Sequence, residues 1–249
     1  MKIIYFIFIS YFLVNIQTIN AQKKAVKVKI KNNYQILFSK DRSTASIKYK
    51  NTLLYELFES ETNYLKDMIE AISMKIYPNQ EAMMIDYISF LKSYRLNDSF
   101  IANRGNMYCN KKLNEASKKV LQVLSVVEIN RFRKTKNLKD LLFDIKLLSV
   151  AQAYADYNTK LNRKELSHFD EEGNGVKSRV DKIFYGFGAQ ENMYRGCGLP
   201  KETIEMFIES PGHYANLILE KARYVAVGVS QYPNGKLVYV QNFIYKWEY

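Results

Sequence analysis

The sequence predicts an α+β protein: a three-layer α-β-α sandwich in the C-terminal part, preceded by a mainly helical N-terminal segment. Three observations carry that expectation. Two β-rich runs near the end, YVAVGVSQY and KLVYVQNFIY, are joined through Pro233-Asn234-Gly235 and read as a hairpin, with Asn-Gly favouring a tight type I′ turn. The stretch Gly188 to Met193 alternates as a strand does, with Ala189, Glu191 and Met193 on one face. Helical patterns over 113–161 and 200–220 carry apolar stripes that need such a sheet to cover them.

The 249 residues suit one or two domains, and 47% hydrophobic with 14% aromatic content is ample for a packed core, which excludes global disorder. A net charge of +12 would attract anionic surfaces such as nucleic acid, phospholipid or polysaccharide. The lysines are spread widely and no nucleic-acid motif accompanies them, so no nucleic-acid partner is expected.

Residues 1–21 have the pattern of a secretory signal peptide: Lys2, then an apolar run from Ile3 to Ile16, then a small-residue cleavage site ending at Ala21. The apolar run is short for a membrane span. The mature chain is expected to begin near Gln22, secreted or periplasmic, with no transmembrane helix after cleavage. Export bears on Cys109 and Cys197, both in loop-like contexts. An oxidising compartment lets them pair as a disulfide, and free thiols are the competing reading, because sequence alone does not give their separation.

Residues 22–112 are expected to form a mainly helical accessory segment. Its opening run AVKVKIK suits either an edge strand, with Val26, Val28 and Ile30 on one face, or a flexible basic arm. A first helical pattern carries Leu57, Leu65, Met68, Ile69, Ile72 and Ile76 and stops before Pro78. A second is capped by Asn79 and carries Met83, Met84, Tyr87, Ile88 and Leu91. Both stripes read as core packing. The polar stretch 97–112 is the candidate linker, which places a second domain at 113–249. There Leu121, Leu124, Val127 and Ile129 mark one helix, and Leu147, Leu148, Ala151, Tyr154 and Ala155 another.

The residues suited to chemistry lie between 165 and 217. The chain has two histidines, His168 in ELSHFDEEG and His213 in ESPGHYANL, and histidine is the residue best suited to metal ligation and neutral proton transfer. Ser210 reads as an N-cap with Pro211 at the first helical position, which puts His213 near the positive end of a helix dipole and disfavours its protonated form. Glu191 on an inward strand face is costly unless paired or metal-bound. His168, Glu191 and His213 are therefore expected to share one cavity. Asp170, Glu172, Asn174 and Gly175 resemble the start of a calcium loop, but the twelfth position is Asp181 where glutamate is expected, and a plain turn is the preferred reading.

Taken in order, EINRFR, LLSVAQAYADY, SHFDEEG, Arg179, AQENM, ESPGHYANL, VAVGVSQ and YVQNF make residues 115–245 resemble the CAP superfamily, the cysteine-rich secretory, venom-antigen and pathogenesis-related proteins, and most closely its bacterial SCP-like branch. The resemblance implies the α-β-α sandwich already inferred. It also implies that His168, Glu191 and His213 are the cavity residues that in some members hold zinc or another divalent ion. A second cavity glutamate is usual; Glu205 and Glu209 lie nearby without aligning. Phe207 stands where tryptophan is usual, and Tyr214 where arginine is. The leading expectation is an exported binding module with a divalent-metal cavity, zinc before others, at the cell envelope or beyond it. The alternative is a metal-dependent peptidase or hydrolase with Glu191 or Glu209 as base. A third reading, lipid or sterol carriage, would require an apolar groove.

Overall fold

The computed structural model describes residues 26–30, 34–74, 76–93, 109, 111–162 and 165–246. The signal-peptide pattern at 1–21, the expected mature start at Gln22 and most of the 97–112 linker lie outside the described residues.

The N-terminal segment begins as a four-stranded antiparallel meander, β1 (Val26–Ile30), β2 (Tyr34–Phe38), β3 (Ala45–Tyr49) and β4 (Thr52–Leu57), paired in chain order. The edge-strand reading of AVKVKIK therefore holds: β1 is an outer strand, with Ile30 buried and Lys27 exposed. The helical expectation for this segment applies only to 59–93. The polar SKDRST run is a hairpin loop, in which the Asp41 carboxylate accepts from the Ser43 amide (3.0 Å) and the Ser39 and Ser43 hydroxyls. Lys50 and Asn51 both take positive φ (47° and 69°) and close the next two-residue hairpin. Leu57, assigned to a helix from its spacing, ends β4.

Two helices come next, α1 (Glu59–Ser73) and α2 (Gln80–Ser93). Glu61 reaches back to the Phe58 amide (3.0 Å) at the start of α1, and Asn79 caps α2 through the Ala82 amide (2.8 Å), as its position predicts. The Tyr87 hydroxyl donates to the Glu61 carbonyl and ties the pair together.

The C-terminal part is the expected sandwich. Its elements are α3 (Glu115–Thr135), β5 (Leu142–Phe143), α4 (Ile145–Lys160), α5 (Val176–Asp181), β6 (Phe187–Gly196), α6 (Pro200–Ile208), α7 (Pro211–Leu217), β7 (Tyr224–Gln231) and β8 (Leu237–Lys246). Strand order is β5-β7-β8-β6, antiparallel except for the short parallel pairing of β5 with β7. Alternation sorts the side chains into two cores. Val225, Val227, Val229, Tyr239 and Phe243 join the core shared with α3 and α6, while Ala226, Val238, Val240 and Ile244 pack with α4. Small residues let α4 approach closely, since a Cβ on Gly228 would lie 2.2 Å from the Ala151 carbonyl oxygen.

The hairpin turn differs from the expected type I′. A type I′ turn on Asn-Gly needs positive φ at both Asn234 and Gly235, and Asn234 does not have it; Pro233, with its φ fixed near −65°, takes the second position of a turn running from Tyr232 to Gly235. The loop is instead three residues long: the Gly235 amide donates to Tyr232 O (2.9 Å), the Tyr232 amide to Lys236 O (2.8 Å), and only Gly235 takes positive φ (84°). Cys109 and Cys197 form a disulfide with Cα atoms 5.0 Å apart, which closes the alternative of free thiols.

Every residue of α3 from Val120 to Asn130 is buried. A helix lying on one sheet buries one stripe; a continuous buried run needs cover on both sides. The sheet covers one side, and α1 and α2 cover the other. Asp67 of α1 binds Arg131 of α3 across this junction, with Glu128 on the guanidinium's other arm. Burial pushes the Asp67 carboxyl up to about 6, outweighing the nearby arginine.

Candidate functional site

The loop between α4 and α5 presents His168. It winds around Asp170, whose carboxylate accepts from the Glu172 amide (3.0 Å), the Asn174 amide (2.8 Å) and the Asn174 side chain (3.2 Å). Gly173 supplies the positive φ (80°) this tight turn needs. The acidic run is thus a self-satisfied turn, and Asp181, the would-be twelfth calcium position, pairs with Lys177 on α5. Two tyrosines of α4 fasten the loop: Tyr154 donates to Ser167 O (2.7 Å), and the Tyr157 hydroxyl accepts from the Glu171 amide (2.9 Å). The Ser167 hydroxyl donates to Phe169 O (2.9 Å), so it forms no pair with the neighbouring imidazole.

Glu191, in the middle of β6, is 4% exposed, as alternation predicts. Its carboxylate meets two partners: Oε1 lies 3.0 Å from His168 Nδ1, and Oε2 accepts from Arg179 Nη2 at 2.7 Å. A carboxylate only accepts, so Nδ1 of His168 carries the hydrogen, and in the neutral ring Nε2 is left with the lone pair. Arg179, on α5, also donates to His168 O (3.1 Å) and Asn174 O (2.8 Å), and its guanidinium lies 3.4 Å from the Tyr154 ring centroid. One half-buried arginine therefore neutralises the carboxylate and staples the loop that carries the histidine.

His213 occupies the first turn of α7, after Ser210 and Pro211, as the sequence predicts. No side-chain hydrogen bond caps that helix; the Ser210 carbonyl instead accepts from the Tyr214 amide (2.8 Å). Burial depresses the His213 pKa, and the neighbouring His168 adds to the effect. The ring packs against Phe207, centroids 4.8 Å apart, and its Nδ1 is buried without a hydrogen-bond partner. Asn192 and Asn216 hold this helix to β6: Asn192 Nδ2 donates to His213 O (3.1 Å), and Asn216 Nδ2 to Asn192 Oδ1 (2.9 Å). At the far end of α7, the fully buried Arg133 donates to Leu217 O (2.9 Å) and Leu219 O (3.0 Å).

His168 and Glu191 are thus in direct contact, and His213 lies close enough to His168 for the two rings to couple electrostatically. Glu205 and Glu209 are exposed and make no hydrogen bond to the site. Tyr214 packs edge-on against Phe132, centroids 5.9 Å apart, with Lys136 over both rings. Among the described residues no three His, Cys, Asp or Glu side chains converge as a metal-ligand group. A metal at the two imidazoles would draw on neutral rings, through His168 Nε2 and the unpartnered His213 Nδ1. It fits poorly at Glu191, whose oxygens are already engaged. Sequence reasoning names Arg179 without giving it a role and misses Asn192 and Asn216. The available signal is that an inward carboxylate demands a cation.

Against known proteins, the family model described as the cysteine-rich secretory protein family matches residues 126–243. No curated protein matches. Among solved structures, the chain is similar to an outer surface protein of Borrelia burgdorferi (22% identity, 50% of this chain and 91% of that one, TM-score 0.46). It is also similar to an extracellular SCP-domain protein of Bacillus anthracis (16%, 93% and 74%, TM-score 0.48). A third similarity is to a cysteine-rich secretory protein of Staphylococcus aureus (16%, 94% and 70%, TM-score 0.45).

Proposed function

We propose that the protein, whose residues 126–243 match the family model of cysteine-rich secretory proteins, is an exported CAP-like binding module whose two histidines take a divalent metal, zinc before others. Export rests on the 1–21 signal pattern and on the Cys109–Cys197 disulfide, a bond that persists in oxidising compartments. The carrying observation is the pairing of an oriented imidazole with a buried, unpartnered one. Glu191 holds His168 by Nδ1, and His213 Nδ1 has no partner. His168 and His213 would be the ligands, with Glu191 behind His168 as the acceptor that fixes its tautomer and orientation. A zinc ion held by two protein ligands keeps open positions for water or for a donor from a bound partner. That arrangement suits recognition. The hydrolase alternative requires a free carboxylate as base, and Glu191 is occupied by His168 and Arg179 while Glu209 is exposed on the end of α6.

Zinc titration by calorimetry tests the reading. The unaltered chain is expected to take up zinc, and His168→Ala and His213→Ala to abolish measurable uptake. Glu191→Gln, which keeps the shape, should weaken affinity about 10–100-fold, the range for losing an orienting partner. Affinity should fall as the solution is acidified through the histidine range, because protonated imidazole does not ligate. Absence of zinc uptake by the unaltered chain would remove the metal from the proposal. Uptake undiminished in both histidine variants would place it elsewhere.

A further inference from the structure

We propose that one end of the sandwich, where β5, β7, β8 and β6 stop side by side, is a surface that seats on a lipid bilayer carrying anionic headgroups. Strand register brings the pieces together. Leu142 pairs with Tyr224, Tyr224 with Ile244, Ile244 with Ala189, and Lys246 with Phe187. Ile145 begins α4 directly after β5. The turn from Ile183 to Gly186 leads into β6, with the Ile183 and Phe184 amides donating to Val180 O and the Phe187 amide to Phe184 O. Phe143, Leu148, Phe184, Phe187 and Tyr224 pack into one cluster that joins these two corners.

From this base project Leu142 (60% exposed), Ile145 (67%), Ile183 (43%) and Tyr185 (92%). Among the described residues twelve large hydrophobic side chains are exposed, and these four share one end of one sheet. Single exposed apolar residues are ordinary, whereas a group ringed by polar residues marks a contact surface. The ring here is basic. Lys146, Lys182, Arg223 and Lys246 are exposed and form no ion pair with any described residue. Of the nearby acids, Asp181 pairs with Lys177 and Asp140 with Lys134, while Asp144, which caps α4 through the Lys146 and Leu147 amides, and Glu220 keep their charge, so the four cations outnumber the uncompensated acids two to one.

Charge complementarity selects an anionic partner, and the apolar centre selects among anionic partners. A nucleic acid or polyanionic polysaccharide would engage the cations and leave Leu142, Ile145 and Ile183 wet. A bilayer takes both, with leucine and isoleucine below the headgroups, cations among them and a tyrosine at the boundary. No helix among the described residues is long and apolar enough to cross a membrane, so the contact is peripheral. This surface uses neither histidine nor Glu191 and does not depend on metal.

The test is flotation with vesicles, using the chain from Gln22 onward so that the apolar leader contributes nothing. The expected result is co-flotation with vesicles of equal parts phosphatidylglycerol and phosphatidylcholine, and little with phosphatidylcholine alone. Lys146→Gln and Lys182→Gln should each weaken partitioning about fivefold. Leu142→Ser and Ile145→Ser should each weaken it roughly tenfold, with thermal melts confirming that these surface changes leave the fold intact. His213→Ala should bind vesicles normally, which separates this proposal from the zinc reading. Failure to float with the anionic vesicles would overturn it. Binding that ignores the apolar substitutions and vanishes with salt would overturn it too, assigning the face to a polyanion.

Discussion

Burying a carboxylate costs several kcal/mol unless a cation and hydrogen bonds meet it, and Glu191 is met on both oxygens by Arg179 and His168. Arg179→Met keeps much of the side chain's bulk and removes its charge, leaving Glu191 with an imidazole alone. Destabilisation of about 3–5 kcal/mol is expected, the range for breaking one side of a buried pair, read as a lower urea midpoint. An unchanged midpoint would mean that the guanidinium acts only as packing over Tyr154. The placement of His168, Glu191 and His213 is legible because each has a local signature: two histidines beside turn chemistry and one carboxylate on an alternating strand. Arg179, Asn192 and Asn216 are not, because their roles depend on partners far along the chain. Asn216 reaches Asn192, and Arg179 reaches Glu191, only once α5 and α7 lie against β6. Polar side chains on a helix carry no mark that separates a solvated one from one aimed inward.

At the scale of elements, periodicity serves best where one face is buried and fails where elements are short. The stripe on α4 is legible at Leu147, Ala151, Tyr154 and Ala155, which are all buried, while Leu148 is only partly so. Strands β2, β3 and β4 escape it because each is five or six residues long, too short for alternation to stand out from an apolar run. Proline decides the β7–β8 turn against the Asn-Gly signal, since a fixed φ outweighs a preference. The contact of α4 with β7 makes its own prediction. Gly228 faces the Ala151 backbone so closely that a methyl group has no room, and the obstacle is main chain, which cannot rotate away. Gly228→Ala should force α4 off the sheet and cost roughly 1–3 kcal/mol, as overpacking does. Because α4 carries Tyr154 and Tyr157, the His168 loop should loosen with it. A thermal midpoint equal to that of the unaltered chain would contradict this reading.

The whole molecule turns on α3. The family resemblance spans 115–245 and leaves the N-terminal segment without a role, yet the core of that segment and the core beneath α3 are continuous. Val120, Leu121, Val123, Leu124, Val126, Val127 and Ile129 are all buried, each worth about 1.5–3 kcal/mol when taken out of water. No single sheet face can cover consecutive positions, so α1 and α2 complete what the sandwich leaves open. Residues 113–249 alone would then expose an apolar helix face and a buried acid, Glu128, that loses its surroundings. That fragment is expected to bind a hydrophobic dye and to unfold without a cooperative transition. It also lacks Cys109, whose bond to Cys197 closes a loop across 88 positions, a restraint worth about 4–5 kcal/mol in the chain-entropy picture. The control is therefore the chain from Gln22 with Cys109→Ser and Cys197→Ser, which should melt at lower temperature but still cooperatively. If the fragment instead melts cooperatively at the same temperature as that control, the N-terminal segment is an attachment to a self-sufficient sandwich. If it does not, the folding unit extends from β1 to β8, and the sandwich is one half of it.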